Sequence, residues 1–195
     1  MRHLLLATRN AHKTREFSEI LGGDFVVHDL SEESDAPAIE ETGSTFAENA
    51  ILKAVAISRR SPALVVADDS GLEVDALDEA PGVFSARYAG PHATDAENIA
   101  RLLSELRAVW NDRPFVSRFR CVLALAREGE LIDTFEGVIE GVIVDSPRGS
   151  AGFGYDPIFQ PDGGTKTFAE LPAVAKNRIS HRARAIRLLH AALRR

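Results

Sequence analysis

Hydrophobic positions along this 195-residue chain switch repeatedly between strand-like and helix-like spacing. His3 to Thr8 contains a short apolar run of strand length. From Asn10 to Leu21 the spacing becomes helical, with Phe17, Ile20 and Leu21 on one face. Phe25 to Leu30 reads as a second strand. Thr45-Phe46-Ala47-Glu48 has the form of a capping box and predicts a helix to about Arg60. Phe46, Ala50, Ala54 and Ile57 would be its buried stripe. Ala63 to Ala67 is again strand-like, and Asp68-Asp69-Ser70-Gly71 is expected to break it before Leu72 to Ala76. A second capping box, Thr94-Asp95-Ala96-Glu97, opens a helix with Ile99, Leu102, Leu103 and Leu106 at helical spacing.

Beyond Trp110 the period changes. Phe115, Phe119, Cys121, Leu123 and Leu125 alternate with Val116, Arg118 and Arg120, which predicts a strand with one polar side at its start. Leu131 to Val144 reads as a long strand in which Gly137 and Gly141 mark a bulge or a bend. A final helix is expected from near Ser180, burying Ala185, Leu188, Leu189, Ala192 and Leu193. Strands mixed with helices throughout predict an α/β fold in one domain, residues 1–195. The pieces before and after about residue 110 are expected to form two lobes with a cleft between them.

Composition narrows the function. Hydrophobic residues make up 45% and charged residues 27%, which is ordinary for a globular chain able to bury its own core. A net charge of −6 argues against a surface for bulk nucleic-acid binding. No apolar run approaches the roughly 18 residues of a membrane span, and Leu4 to Ala7 is too short for a signal-peptide core. The single cysteine, Cys121, excludes an internal disulfide and favours a reducing, cytoplasmic setting, with the thiol in the core. Charge is uneven. Glu32, Glu33, Asp35, Glu40, Glu41 and Glu48 form an acidic stretch; Lys176, Arg178, Arg182, Arg184, Arg187, Arg194 and Arg195 make the end basic. These are two solvated faces, or a metal-binding segment and a phosphate-binding one.

Five segments have residue types suited to chemistry. In Thr8-Arg9-Asn10-Ala11-His12-Lys13 a strand runs into a helix start, where free backbone N–H groups form an anion site and Lys13 adds charge one turn on; the plain alternative is an Asn10 helix cap beside a solvated lysine. Asp68 and Asp69 stand at the end of a buried strand and point to opposite sides of it, so one can hold structure while the other faces a ligand. Gly71 would permit a backbone angle closed to other residues. Glu40 and Glu41 add carboxylates, and Mg²⁺ needs only one or two of these together with substrate phosphates. No histidine or cysteine spacing for zinc is present. Gly149 to Phe159 alternates glycines with Phe153 and Tyr155 before Asp156-Pro157, which suits stacking on a base or an aromatic turn packed on the core. Lys176 to Arg182 places cations around a helix start with Ser180 as its cap, against the helix dipole, unless a polyanion binds there.

In this order, Ala7-Thr8…Asn10…Lys13, Glu41-Thr42-Gly43…Thr45-Phe46…Glu48-Asn49-Ala50, Ala67-Asp68-Asp69-Ser70-Gly71-Leu72, Pro81-Gly82…Ser85-Ala86-Arg87-Tyr88, Gly152-Phe153-Gly154-Tyr155-Asp156-Pro157 and Ile179-Ser180-His181-Arg182 resemble the inosine triphosphate pyrophosphatase family, which acts on nonstandard purine nucleoside triphosphates. The resemblance runs from the first strand to the last helix. It implies a two-lobed mixed-sheet α/β fold with a central substrate cleft, a homodimer, Mg²⁺ dependence, and hydrolysis of ITP, dITP or XTP to the monophosphate and pyrophosphate. By position it implies that Thr8, Asn10 and Lys13 bind the triphosphate and that Glu40, or its neighbour Glu41, holds the metal with Asp69. Asp69 would also accept the proton of the attacking water, and Ser70 would contact substrate. Phe153, Gly154 and Tyr155 would line the base pocket, with Asp156, Lys176, His181 and Arg182 completing recognition.

Two positions depart from the family pattern. Arg9 stands where a small residue is common, either adding a phosphate contact or facing solvent. Ala175 replaces a common glutamate before Lys176. Donors aimed at the 6-oxygen of inosine or xanthosine would meet a donor in adenosine, which is how such a site would select. The alternatives are a nucleotide pyrophosphatase with a different base preference and a module that binds nucleotides without turnover.

Overall fold

Both capping boxes form and set the starts of their helices. In α2, Phe46–Ser58, the Thr45 hydroxyl accepts from the Glu48 amide while the Glu48 carboxylate accepts from the Thr45 amide. Thr94 and Glu97 do the same for α3, Asp95–Ala108. Each pair satisfies amides that an open helix end would leave unbonded. The stripe Phe46, Ala50, Ala54 and Ile57 is buried, as are Ile99, Leu102, Leu103 and Leu106. The computed structural model describes residues 2–31, 36, 37, 39–109 and 112–194, so Glu32, Glu33 and Asp35 of the acidic stretch, and Arg195, lie outside the described residues.

The remaining elements are β1 Arg2–Leu6, α1 Ala11–Leu21, β2 Phe25–Asp29, β3 Leu64–Val74, β4 Phe115–Arg127, β5 Glu130–Ile143, β6 Phe159–Pro161, α4 Ala173–Ile179 and α5 His181–Leu193. The strands order as β2-β1-β3-β4-β5-β6 in one sheet. β1 runs parallel to β2 and to β3, while β5 and β6 are antiparallel, so the sheet is mixed and the fold is α/β as expected.

The chain divides into two compact units. One comprises Met1–Asp69, Cys121–Gly137 and Arg182–Arg195; the other comprises Ser70–Arg120 and Val138–His181. This corrects the expected division near residue 110, because the chain passes from one unit to the other within β3, β4 and β5. Each unit has its own core. Leu4, Leu6, Phe17, Phe25, Leu123 and Ile186 contribute to the first. Leu72, Leu102, Phe119, Ile158, Phe159 and Phe168 contribute to the second, where Phe119 and Phe159 rings lie 4.7 Å apart.

Three further expectations are corrected. The Asp68–Gly71 tetrad does not interrupt its strand: β3 continues through it to Val74, and Gly71 has no left-handed backbone angle. Buried carboxylates are tolerated there because cations answer them. Leu188 is 52% exposed; Ala183 and Ile186 take its place in the core, since at about 100° per residue Leu188 lies about a third of a turn from the centre of the buried face. Gly141 lies within continuous β5, and the demand on it is close approach, because a Cβ there would overlap the Gln160 carbonyl oxygen and sit 2.7 Å from the Phe159 ring. Two short elements, β6 and α4, have no counterpart in the residue spacing. Replacing Gly141 by alanine should force β6 away from β5 and cost about 1–3 kcal/mol, as overpacking does; a urea midpoint equal to wild type would remove this constraint.

Candidate active site

Helix α1 begins at Asn10, whose side-chain oxygen accepts from the His12 and Lys13 amides at 2.9 and 3.4 Å. The Thr8 hydroxyl accepts from the Asn10 amide at 3.1 Å. These side chains occupy the backbone donors that an anion would need, so Asn10 acts as the cap. Arg9 turns to the neighbouring loop, donating to the Ala36 carbonyl at 2.8 Å. Lys13 leaves the first turn of α1 and pairs with Asp68 on β3.

Asp68 and Asp69 have separate partners, as alternation on a strand requires. Besides Lys13, Asp68 accepts from Arg182 Nε at 2.7 Å and from the Cys121 thiol at 3.2 Å. Burial pushes the Asp68 carboxyl up, but Arg182 and Lys13 outweigh it and hold the group well below the usual carboxylate range. Burial drives the Cys121 thiol well above its usual value, and the Asp68 charge adds to this, so Cys121 is a protonated donor. Arg182 also donates to Glu16 at 2.7 Å. The cation that stands against the dipole of α5 is thus answered by carboxylates of the protein itself.

Asp69 meets α2. Lys53 Nζ lies 2.8 Å from Asp69, 2.8 Å from Glu41 and 2.9 Å from the Asp68 carbonyl. Asn49 donates to the other Asp69 oxygen at 3.5 Å. Burial raises the Asp69 pKa; Lys53 opposes the shift and the Glu41 charge reinforces it. Burial pulls Lys53 down, yet Asp69 and Glu41 more than offset this and keep it protonated. Of the two neighbouring glutamates, Glu41 converges with Asp69 on Lys53, whereas Glu40 is exposed.

The second unit holds the other expected residues. Gly149, Gly152 and Gly154 all have positive φ. At Gly152 a Cβ would collide with the Asp156 carboxylate, which accepts from the Phe153 amide at 3.0 Å and from Lys176 Nζ at 2.6 Å. Asp156 and Lys176 are both buried, and the Lys176 ammonium lies 4.9 Å from the Phe153 ring centre. Phe153 and Gly154 line a cavity of about 580 Å³ together with Asp95 and Ile99. Tyr155 does not line it. Its ring is packed in the core and its hydroxyl donates to the Ser85 carbonyl at 2.9 Å, so the core-packed reading holds for Tyr155. The His181 ring is buried and stacks on Phe119 with centres 4.7 Å apart. Ser70 opens this unit and is half-buried.

The structure therefore gathers Lys13, Glu41, Asp68, Asp69 and Arg182 in the first unit. It gathers Phe153, Gly154, Asp156 and Lys176 in the second. Sequence reasoning missed Lys53 and Asn49. Their signal was available: one helical turn apart on α2, they border the buried stripe with polar groups.

Asp68 generates a prediction. Its pKa is lower folded than unfolded, so the stabilisation is complete above the ordinary carboxylate value of 3.8 and is lost as pH falls through and below it. Asp68→Asn should cost about 3–5 kcal/mol at pH 7 by leaving Arg182 short of its partner, and the difference from wild type should shrink in acid. Denaturant titrations of both proteins at pH 7 and pH 3 test this; a deficit independent of pH would contradict it.

Comparison with known proteins gives the chain's kinship. The family model described as the Ham1 family matches residues 4–192. A protein of Geobacter sulfurreducens named dITP/XTP pyrophosphatase is 50% identical over 193 residues, covering 97% of this chain and 95% of that protein. One of the same name from Geobacillus kaustophilus is 51% identical over 187 residues, covering 95% and 91%. The solved structure of a HAM1 protein from Coxiella burnetii superposes with a TM-score of 0.89 at 43% identity, covering 100% of this chain and 99% of that one. The chain belongs to the Ham1 family, which bears out the kinship that its motifs imply.

Proposed function

We propose that this protein hydrolyses nonstandard purine nucleoside triphosphates, dITP, XTP and ITP, to the monophosphate and pyrophosphate. The observation that carries this reading is the convergence of Asp69 and Glu41 on Lys53, next to the Lys13–Asp68 pair. Close relatives named dITP/XTP pyrophosphatase support the choice of substrate. A polyphosphate repels nucleophiles, so its hydrolysis needs positive charge at the phosphates and a base for water. Unit one offers both.

Mg²⁺ fits this donor set. Glu41 and Asp69 are like charges close enough that one raises the pKa of the other, a strain that a cation relieves. Among the described residues no group of three or more His, Cys, Asp or Glu is arranged for a metal. Two carboxylates suit an ion that takes its other ligands from water and substrate phosphates. When bound, Mg²⁺ would supply charge neutralisation at the phosphates. Glu41 and Asp69 are the residues that would hold it.

The chain's own residues do the rest. Lys13 faces the phosphates with its cation, held in place by Asp68. Lys53 orients the Asp69 and Glu41 carboxylates. Asp69, whose burial favours protonation, takes a proton from the water that attacks the α-phosphorus, and the bond to the bridging oxygen breaks to release pyrophosphate. Arg182 serves the phosphate end through Asp68, in place of the base-reading role its motif implied. In the second unit, Lys176 can only donate, and Asp156 and the Phe153 ring fix its position. A donor there favours a 6-oxo base over a 6-amino one.

The homodimer and cytoplasmic setting implied by the motifs and the single cysteine belong to the same reading; exposed Phe84 and Val116 offer apolar surface for a second copy.

Pyrophosphate release with Mg²⁺ should be fast from dITP, XTP and ITP and slow from ATP, GTP and dTTP. Equal turnover of all six would keep the hydrolase chemistry and remove the base selection. Asp69→Asn should lower kcat by about 10²–10⁴-fold with the fold retained by circular dichroism. Lys176→Met should narrow the XTP-over-ATP ratio of kcat/KM by about tenfold or more, the scale of a lost polar discrimination; an unchanged ratio would take Lys176 out of base recognition.

A further inference from the structure

The start of α3 has no part in the chemistry proposed above, yet it is tied to the glycine loop that presents Phe153. Three consecutive residues of that loop are held by three different partners. The Phe153 amide donates to Asp156, within the loop itself, at 3.0 Å. The Tyr155 hydroxyl donates to the Ser85 carbonyl at 2.9 Å. The Gly154 amide donates to Asp95 Oδ2 at 2.6 Å. Asp95 is the first residue of α3 and stands 59 positions away in the chain.

This end of α3 is a firm anchor. Thr94 and Glu97 close its capping box, and Asn98, three residues after Asp95, is buried. Asn98 accepts from the Ala89 amide at 2.7 Å and donates to the Ala86 carbonyl at 3.3 Å. Residues three apart neighbour each other on a helix surface, so one turn of α3 holds the Ser85–Ala89 segment through Asn98 and the loop through Asp95. The Ser85 hydroxyl accepts from the Leu72 amide at 2.9 Å, which fixes that segment to β3.

Phe153 itself stands between two pivots. Gly152 and Gly154 both have positive φ, a conformation that glycine adopts freely but does not enforce. Between the loop and α3 lies the cavity of about 580 Å³, with Gly152, Phe153 and Gly154 on one side and Asp95, Ile99 and Leu103 on the other. Close packing therefore does not press the loop onto the helix here, and the Asp95 bond spans the gap. A charge-assisted hydrogen bond is short and directional, which suits it to that task. The Phe153 ring centre is 4.9 Å from the Lys176 ammonium, so turning about the two glycines would carry the ring off the lysine.

We propose that Asp95 is a positioning residue for base recognition, which fixes the Phe153–Gly154 peptide from α3 and so sets the Phe153 ring against Lys176. The proposal rests on the reading of Lys176 and Phe153 as the groups that meet the base. Asp95 touches no substrate in this role. It arranges ring and lysine before the nucleotide arrives, so binding need not order the loop. Its loss should therefore raise KM and spare kcat, since Asp69, Glu41 and Lys53 belong to the other unit.

The test pairs amide hydrogen exchange, read residue by residue by NMR, with steady-state hydrolysis of XTP in Mg²⁺. In Asp95→Ala the Gly154 amide of the free protein should exchange about tenfold faster or more, while amides of α3 beyond its first turn keep wild-type rates. KM for XTP should rise about tenfold with kcat within about twofold, the scale of one hydrogen bond to a charged group. Asp95→Asn keeps an oxygen acceptor and should recover most of both changes. Loss of a first-turn charge acting only on the helix would affect both variants alike. An unchanged Gly154 exchange rate in Asp95→Ala would overturn the proposal. So would an unchanged KM, a fall in kcat alone, or equal defects in the two variants. Wild type that releases no pyrophosphate from XTP would overturn the functional reading, and the role in base recognition with it, before any variant is compared; the exchange rates would still decide whether Asp95 holds the loop.

Discussion

An ionised carboxylate with no exposure to water needs cations at contact distance, and the first unit is organised around one. The Asp68 side chain is fully buried within a strand packed on both sides. Its partners come from all three chain segments of that unit. Lys13 belongs to the opening segment, Cys121 begins the second, and Arg182 begins the third. A single charge thus fixes where β4 and α5 enter the unit. The same contacts hold Lys13, which makes this knot a structural support and a part of the proposed phosphate site at once. Glu16 extends the chain of alternating charge by binding the far side of Arg182.

Asp69, one residue on, is treated differently. Lys53 contacts it, Lys13 acts on it from farther off, and a second carboxylate, Glu41, stands nearby, so it is less completely answered than Asp68. Two adjacent aspartates acquire opposite pKa shifts because strand alternation hands them to different neighbours. One becomes a fixed anion and the other a group that gains from a proton or a metal. That difference separates the structural carboxylate from the one proposed to react more sharply than any feature of the residues themselves.

The second unit repeats the principle on a smaller scale. Asp156 is buried and answered by Lys176, and the left-handed glycines let the chain fold tightly around that pair. Gly152 has to lack a side chain because the Asp156 carboxylate fills the space. That glycine makes room for an internal carboxylate, which in turn holds the lysine donor still.

Much of the local structure was legible in residue order. The capping boxes at Thr45 and Thr94, the stripes of α2 and α3, the alternation of β4 and the Asn10 cap depend on groups within a few positions of each other, so spacing alone determines them. The motifs also led to the family and to Lys13, Asp69 and Lys176 as candidates. Tertiary structure decided who meets whom. Arg182 reaches Asp68 across 114 positions, and Lys13 reaches it across 55. It moved Tyr155 into the core, chose Glu41 over Glu40 beside Asp69, and added Lys53 to the site. Periodicity shows that a charged residue borders a buried face; it does not show which distant charge will answer it, because that depends on how the chain closes on itself.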